Sequence, residues 1–186
     1  SPASLLVSDL FEDDEDDVLI IREFLKQSEF FRFETAWEPN PLKARKLMED
    51  GKFDLFLIDY RLGAENGLDL ILYAHSKNIL IPSILLTGQG DLRVDIDASR
   101  FGAADYIIKS ELNASMLERS IRYALTQAKV IRALDEKEKK YSSLFERSVD
   151  PIFLATEDFK LLNVNHAFLN FFGYELIEDT QLLLRD

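Results

Sequence analysis

The sequence predicts an α/β fold: a doubly wound, five-stranded parallel sheet, continued by a long C-terminal helix into a partial α+β segment. Three observations predict it. Strand-like and helix-like stretches alternate from Leu5 to about Tyr123, the pattern of a parallel sheet covered on both faces. The run Phe53-Asp54-Leu55-Phe56-Leu57-Ile58 is nearly all apolar, ends in Asp59 and is followed by Gly63 and Gly67. Finally, no Pro or Gly interrupts the chain between Leu112 and Pro151, longer than a helix needs to close one domain.

The elements follow in order. Leu5 to Phe11 contains the first strand. Asp17 to Gln27 carries Val18, Ile21, Phe24 and Leu25 at helical spacing. Phe31, Phe33, Thr35 and Trp37 alternate, which marks a strand exposed on one face and near an edge. Asn40 and Pro41 form a cap and first turn for a helix over Leu42 to Asp50, with Gly51 placed to end it. The third strand carries Asp59. A helix from Gly67 to Lys77 leads to a strand over Ile81 to Leu86, then Thr87-Gly88-Gln89-Gly90, a helix over Leu92 to Phe101 and a fifth strand over Ala104 to Ile108. Beyond Leu112, the residues Leu117, Ile121, Ala124, Ala128 and Ile131 keep an apolar stripe, continued by Leu134, Tyr141 and Phe145. That stripe outruns what one sheet covers, so the helix is expected to leave the domain and pair with a second copy. After Pro151 come short strands, Ile152 to Ala155 and Lys160 to Val164, and a Phe-rich helix ending near Gly173-Tyr174.

Composition narrows the function. The 186 residues are 47% hydrophobic with 14 Phe, enough for a sizeable core. A net charge of −12 argues against direct nucleic-acid contact, which needs clustered Lys and Arg. The absence of cysteine excludes disulfides, thiol catalysis and cysteine metal sites, and fits a reducing cytoplasm. No apolar stretch approaches the ~18 residues that span a bilayer. The reading is a soluble, cytoplasmic protein with no membrane partner. Because the chain opens on Ser1 and its last segment stops abruptly, it reads as a piece of a longer protein.

In open α/β sheets, chemistry gathers beyond the carboxyl ends of the strands, which makes Asp59 a candidate reactive group. Six consecutive acids, Glu12-Asp13-Asp14-Glu15-Asp16-Asp17, lie where the first strand meets the first helix, beside the third strand. Some should converge on Asp59. Carboxylates ~4 Å apart repel by roughly 4 kcal/mol at an effective dielectric near 20, which a divalent cation relieves. Oxygen-only ligands describe Mg²⁺ better than Zn²⁺. The histidines, His75 and His166, lie elsewhere and read as surface or packing residues. Thr87 ends the fourth strand and Lys109 follows the fifth, so a hydroxyl and an ammonium project at the same sheet edge as Asp59. Together they form a set able to stabilise an aspartyl phosphate.

Over Leu5 to Tyr123, the segments FEDDEDDVLIIREFL, DLFLIDYRLGAENGLDLI, IPSILLTGQGD and FGAADYIIKSEL resemble, in order and spacing, the CheY-like receiver domain of two-component response regulators. The resemblance implies a flavodoxin-like sheet of order 2-1-3-4-5. It implies Asp59 as phosphoacceptor, with Glu12, Asp13, Asp59 and the Arg61 carbonyl as Mg²⁺ ligands. Thr87 would be the switch hydroxyl, Tyr106 the switch aromatic and Lys109 the phosphate-binding lysine. The donor would be a phosphohistidine on a histidine kinase or phosphotransfer protein. The face of the fourth helix, fifth strand and last helix would change, and the last helix would carry that change onward.

Three departures stand out. Ser8 and Asp9 interrupt the first strand. If that strand is only Leu5 to Val7, Asp9 becomes the metal carboxylate. The offsets of Ile20, Ile21, Phe24 and Leu25 favour Glu12 and Asp13. Ser110 stands where many receivers have proline, and Glu12 where aspartate is common.

From Tyr141, YSSLFERSVDPIFLATEDFKLLNVNHAFLNFFGY resembles the start of a PAS sensor domain. Only about half of such a domain is present, so no cofactor is assigned. Phe168, Phe171 and Phe172 are expected to be exposed or covered by another copy. The parts are a receiver over 4–126, a helical linker over 127–147 and an incomplete PAS segment over 148–186. In a longer parent, an output enzyme such as a histidine kinase or cyclic-dinucleotide enzyme would follow. The rival readings are a haloacid-dehalogenase-like phosphatase, a dinucleotide site at Gly88-Gln89-Gly90, and a degenerate receiver serving only as a dimerisation scaffold. The first wants a second Asp where Arg61 stands, and the second lacks a third glycine.

Overall fold

The computed structural model describes residues 4–88, 101–158 and 160–173. The chain forms two compact units, Ser1–Arg132 and Ala133–Asp186.

In the first unit, β1 (Ser4–Phe11), β2 (Phe31–Trp37), β3 (Leu55–Asp59), β6 (Ser83–Thr87) and β7 (Asp105–Ile108) make one sheet of order β2-β1-β3-β6-β7. All four pairings are parallel. The expected order 2-1-3-4-5 is therefore present, because β4 (Arg61–Leu62) and β5 (Glu65–Asn66) form only a separate two-residue hairpin. Two apolar clusters explain why helices cover both faces. On one side Leu6, Leu10, Leu55, Leu57, Ile84 and Leu86 pack with α1 (Glu15–Lys26) and the long helix α4 (Ala114–Arg147). On the other, Phe11, Phe56, Ile58 and Leu85 pack with α2 (Pro41–Glu49) and α3 (Gly67–Ser76). Successive strand residues point to opposite faces, so each apolar strand feeds both clusters.

Local chemistry sets the boundaries. The Asn40 side chain accepts from the Leu42 and Lys43 amides, Pro41 opens α2, and Gly51 takes a positive φ of 65° just past its end. Asp14, rather than a residue nearer Asp17, caps α1 by accepting from the Asp16 amide, so that helix starts at Glu15. Edge strand β2 alternates half-buried and exposed residues, whereas β3 is buried throughout. β1 continues through Ser8 and Asp9 to Phe11, so the shorter strand ending at Val7 does not form. Ile20 is 49% exposed and contributes nothing to the core; Val18, Ile21 and Leu25 carry that face of α1. The expected helix over Leu92 to Phe101 lies outside the described residues, apart from Phe101 itself, which is in a turn.

α4 runs 34 residues, from Ala114 to Arg147. Leu117, Ile121, Ala124 and Ala128 are buried, while Ile131, Leu134 and Tyr141 on the same stripe are exposed. No described helix is long and apolar enough to cross a membrane.

The second unit holds a two-stranded antiparallel sheet, β8 (Phe153–Ala155) and β9 (Leu161–Val164), and the short helix α5 (His166–Phe172). Leu161, Val164 and Phe168 form its apolar cluster. Phe168 is thus buried, contrary to the expectation of exposure, because it is the third helical position after the cap at Asn165 and turns onto β9. Phe171 and Phe172 remain exposed. Asn165 is fully buried and binds four partners: it accepts from the Ile152 and Phe168 amides and donates to the Phe145 and Asp150 carbonyls.

Candidate functional site

Each site residue is delivered by the end of a strand. β3 is apolar until Asp59, which is 5% exposed at the carboxyl edge. Next to it, β6 ends in buried Thr87, and β7 hands over at Ile108 to Lys109. The pairings Asp59 with Leu86 and Thr87 with Ile108 bring these ends to nearly one level. On the other flank, β1 ends at Phe11 and is followed by Glu12, which is 1% exposed, and the exposed Asp13.

Lys109 spans the edge. Its Nζ lies 2.6 Å from Asp17 Oδ2, 2.7 Å from Glu12 Oε2 and 3.0 Å from Asp59 Oδ1. An ammonium has three N–H donors, and here three carboxylates surround it. The electrostatics follow from this geometry. Burial pushes the Glu12 carboxyl up to about 7; the hydrogen bond from Lys109 opposes that rise, and the Asp59 charge adds to it. Asp59 is also raised, chiefly by burial, with Lys109 again holding it back. Burial alone would lower Lys109, but its hydrogen bonds to Asp17, Glu12 and Asp59 outweigh this and leave it raised. One cation thus faces several acids in a partly dry site.

Carboxylate oxygens of Glu12, Asp13 and Asp59 all lie within 4.8 Å of one another. The donors are oxygens only, which fits a hard cation such as Mg²⁺ better than zinc, which favours His and Cys. Asp9 does not belong to this group. It lies inside β1, fully buried, and its carboxyl is pushed to about 7 by burial and by the nearby Glu38.

The backbone around the acids is held tightly. The Gly63 amide donates to Asp13 Oδ2 at 3.0 Å, tying the loop after β3 to the acidic turn. The Trp37 indole N–H donates to the Glu12 carbonyl at 2.6 Å. At Gly67, a Cβ would lie 2.1 Å from the Asp59 carbonyl oxygen, so only glycine lets α3 start this close to the site.

Of the residues singled out from sequence, Asp59, Lys109, Glu12 and Asp13 are brought together, and Thr87 ends the adjacent strand. Tyr106 is half-buried on β7, opposite Leu85, and packs at the second apolar cluster. Arg61 is exposed in the β4 hairpin, two residues beyond Asp59. Both histidines are exposed. Sequence reasoning missed Asp17 as a partner of Lys109. The signal was present, since Asp17, Ile21 and Leu25 recur every four residues and Ile21 and Leu25 point inward. Trp37 was read only as a strand residue.

Residues 10–122 match the family model of the response regulator receiver domain, and residues 139–186 match that of a PAS domain. The response regulator protein PilR of Pseudomonas aeruginosa is 36% identical over 101 residues, which are 54% of this chain and 22% of PilR. The chain therefore corresponds to a small part of that relative's length. Among solved structures, the signal receiver domain of a LuxO repressor protein from Vibrio parahaemolyticus superposes with a TM-score of 0.60 at 22% identity, over 69% of this chain and 96% of that one. The Mn²⁺-bound form of response regulator Rcp1 superposes with a TM-score of 0.54 at 21% identity, over 61% of this chain and 89% of that one. At these identities the two structures speak for the fold.

Proposed function

The chain belongs to the response regulator receiver family, and from that membership we propose that Asp59 accepts a phosphoryl group from a phosphohistidine on a histidine kinase or phosphotransfer protein. A carboxylate oxygen of Asp59 attacks phosphorus in line with the leaving group. The P–N bond breaks with its electron pair passing to the ring nitrogen, which leaves as neutral imidazole with its proton on the other nitrogen. The observation that carries this reading is the approach of Lys109 to Asp59 at 3.0 Å in the buried edge shared with Glu12.

Lys109 neutralises charge on the transferred group and Thr87, one strand over, donates its hydroxyl to a phosphoryl oxygen. Mg²⁺ held by Glu12, Asp13, Asp59 and the Arg61 carbonyl would supply the remaining positive charge. Tyr106 turns toward the side vacated by Thr87, biasing two conformations of the neighbouring surface. α4 then carries the bias toward the PAS segment. Exposed Ile131, Leu134 and Tyr141 along that helix support pairing with a second copy. In this reading the protein is a cytoplasmic signalling receiver that catalyses only its own phosphorylation and dephosphorylation. It makes no direct contact with nucleic acid or membrane, and its parts are the receiver 4–126, the linker 127–147 and the PAS portion 148–186.

The test is intact mass after incubation with Mg²⁺ and acetyl phosphate. The wild type should gain one phosphate and Asp59→Ala none. No gain in a folded wild type would overturn the reading and leave a phosphorylation-independent dimerisation scaffold in its place.

A further inference from the structure

Asp17 has no part in the scheme above, yet it makes the shortest of the three contacts to Lys109, at 2.6 Å. The other two acceptors have a second duty. Glu12 and Asp59 belong to the oxygen cluster suited to a cation, and Asp59 is the proposed phosphoacceptor. Asp17 lies outside that cluster. It stands in the first turn of α1, one turn before Ile21, which is 1% exposed, so the packing of the helix fixes where its carboxylate stands. The pair is not an open surface contact, because the Lys109 side chain is 19% exposed and that of Asp17 33%.

We propose that Asp17 is a positioning residue that anchors the Lys109 ammonium at the edge of the site; the inference rests on the phosphoacceptor reading of Asp59. When a cation takes the Glu12 and Asp59 oxygens and a phosphoryl group is added to Asp59, Asp17 is the one acceptor of the three left unchanged. It keeps Lys109 aimed at the new oxygens. Without it, three N–H donors would share two carboxylates, and Lys109 would lean harder on the oxygens that the cation requires. Loss of Asp17 should therefore weaken cation binding and slow phosphoryl transfer together.

The experiment is a double-mutant cycle on the full chain with Asp17→Asn and Lys109→Met, and Asp17→Glu as a conservative control. Mg²⁺ titrations are followed by calorimetry and by emission of Trp37, the single tryptophan, whose indole is bonded to the Glu12 carbonyl. Phosphorylation by acetyl phosphate is followed by mass. Asp17→Asn should weaken Mg²⁺ binding about fivefold with Lys109 present and less than about twofold in the Lys109→Met background. Asp17→Glu should recover most of the loss. An equal loss in both backgrounds would make Asp17 a plain charge near the site, and no loss in either would leave it without a role; each overturns the proposal. If the wild type and Asp17→Asn gain phosphate equally fast and bind Mg²⁺ alike, the anchoring fails while the phosphoacceptor reading stands. If the wild type binds Mg²⁺ but gains no phosphate, the phosphoacceptor reading fails, and with it the anchoring built on it.

Discussion

Asp9 and Asp59 are buried carboxylates in neighbouring strands of one sheet, and their surroundings differ sharply. Asp59 is the last residue of β3, where the strand meets the open edge and Lys109 reaches it. Asp9 sits in the middle of β1, opposite Ala36 and Phe56 in the flanking strands. Neither of its oxygens makes a well-formed hydrogen bond, only the adjacent Leu10 amide tempers the effect of burial, and the charge of another acid, Glu38, adds to it. Ser8, its neighbour, is also buried with an unpartnered hydroxyl. A charge at a strand end meets other strand ends, whereas a charge in a strand interior meets the apolar faces of its neighbours.

The largest test of this contrast is Lys109→Met. It strips Asp59 and Glu12 of their cation, and removing one partner of a buried pair costs roughly 3–5 kcal/mol. Urea denaturation in metal-free buffer near pH 7 should show that loss.

Asp9→Asn should act in the opposite direction. The folded-state carboxyl of Asp9 titrates at about 7 against 3.8 in its unperturbed form, so between those values the native state holds a proton that the unfolded chain has released. Stability from this group is complete below pH 4 and is lost as the pH rises through 7. The variant should match the wild type near pH 4 and exceed it above pH 7 by on the order of 4 kcal/mol. Melting curves at pH 5 and pH 8 would decide; an unchanged pH slope would mean that Asp9 is solvated or paired.

Ser8→Ala sharpens the comparison at the low end. Removing an unpartnered buried hydroxyl should raise stability by about 1 kcal/mol with no pH dependence. A loss of that size would show that the hydroxyl has a partner in solution.

The same contrast explains what could be read from the sequence. β3 was legible because nothing inside its buried core contradicts the apolar pattern and the carboxylate falls at its end. The cap at Asn40, the turn at Gly51 and the strand order were legible for the same reason: local chemistry and global fold agree there. β1 was ambiguous because a buried Ser and Asp break the pattern, and two registers remained until its pairing with β2 and β3 was known. In the acidic run, composition alone cannot separate solvated side chains from inward ones. The cap at Asp14 sets the helix phase and thereby turns Asp17 toward Lys109. The hairpin of β4 and β5 is too short, at two residues a strand, to leave a periodic signature. Phe168 looked exposed because its burial depends on where β9 lies, which no spacing within the helix reveals.

The glycine at the head of α3 has a mechanical consequence. Its amide donates to the Tyr60 carbonyl at 2.8 Å, and the space above it is filled by the Asp59 carbonyl so closely that a methyl group has no room. Helix and strand are therefore joined there without slack. Any shift of the main chain at Asp59 must be taken up by the first turn of α3 rather than absorbed by a compliant side chain, so this seam acts as a stiff bearing beneath the site.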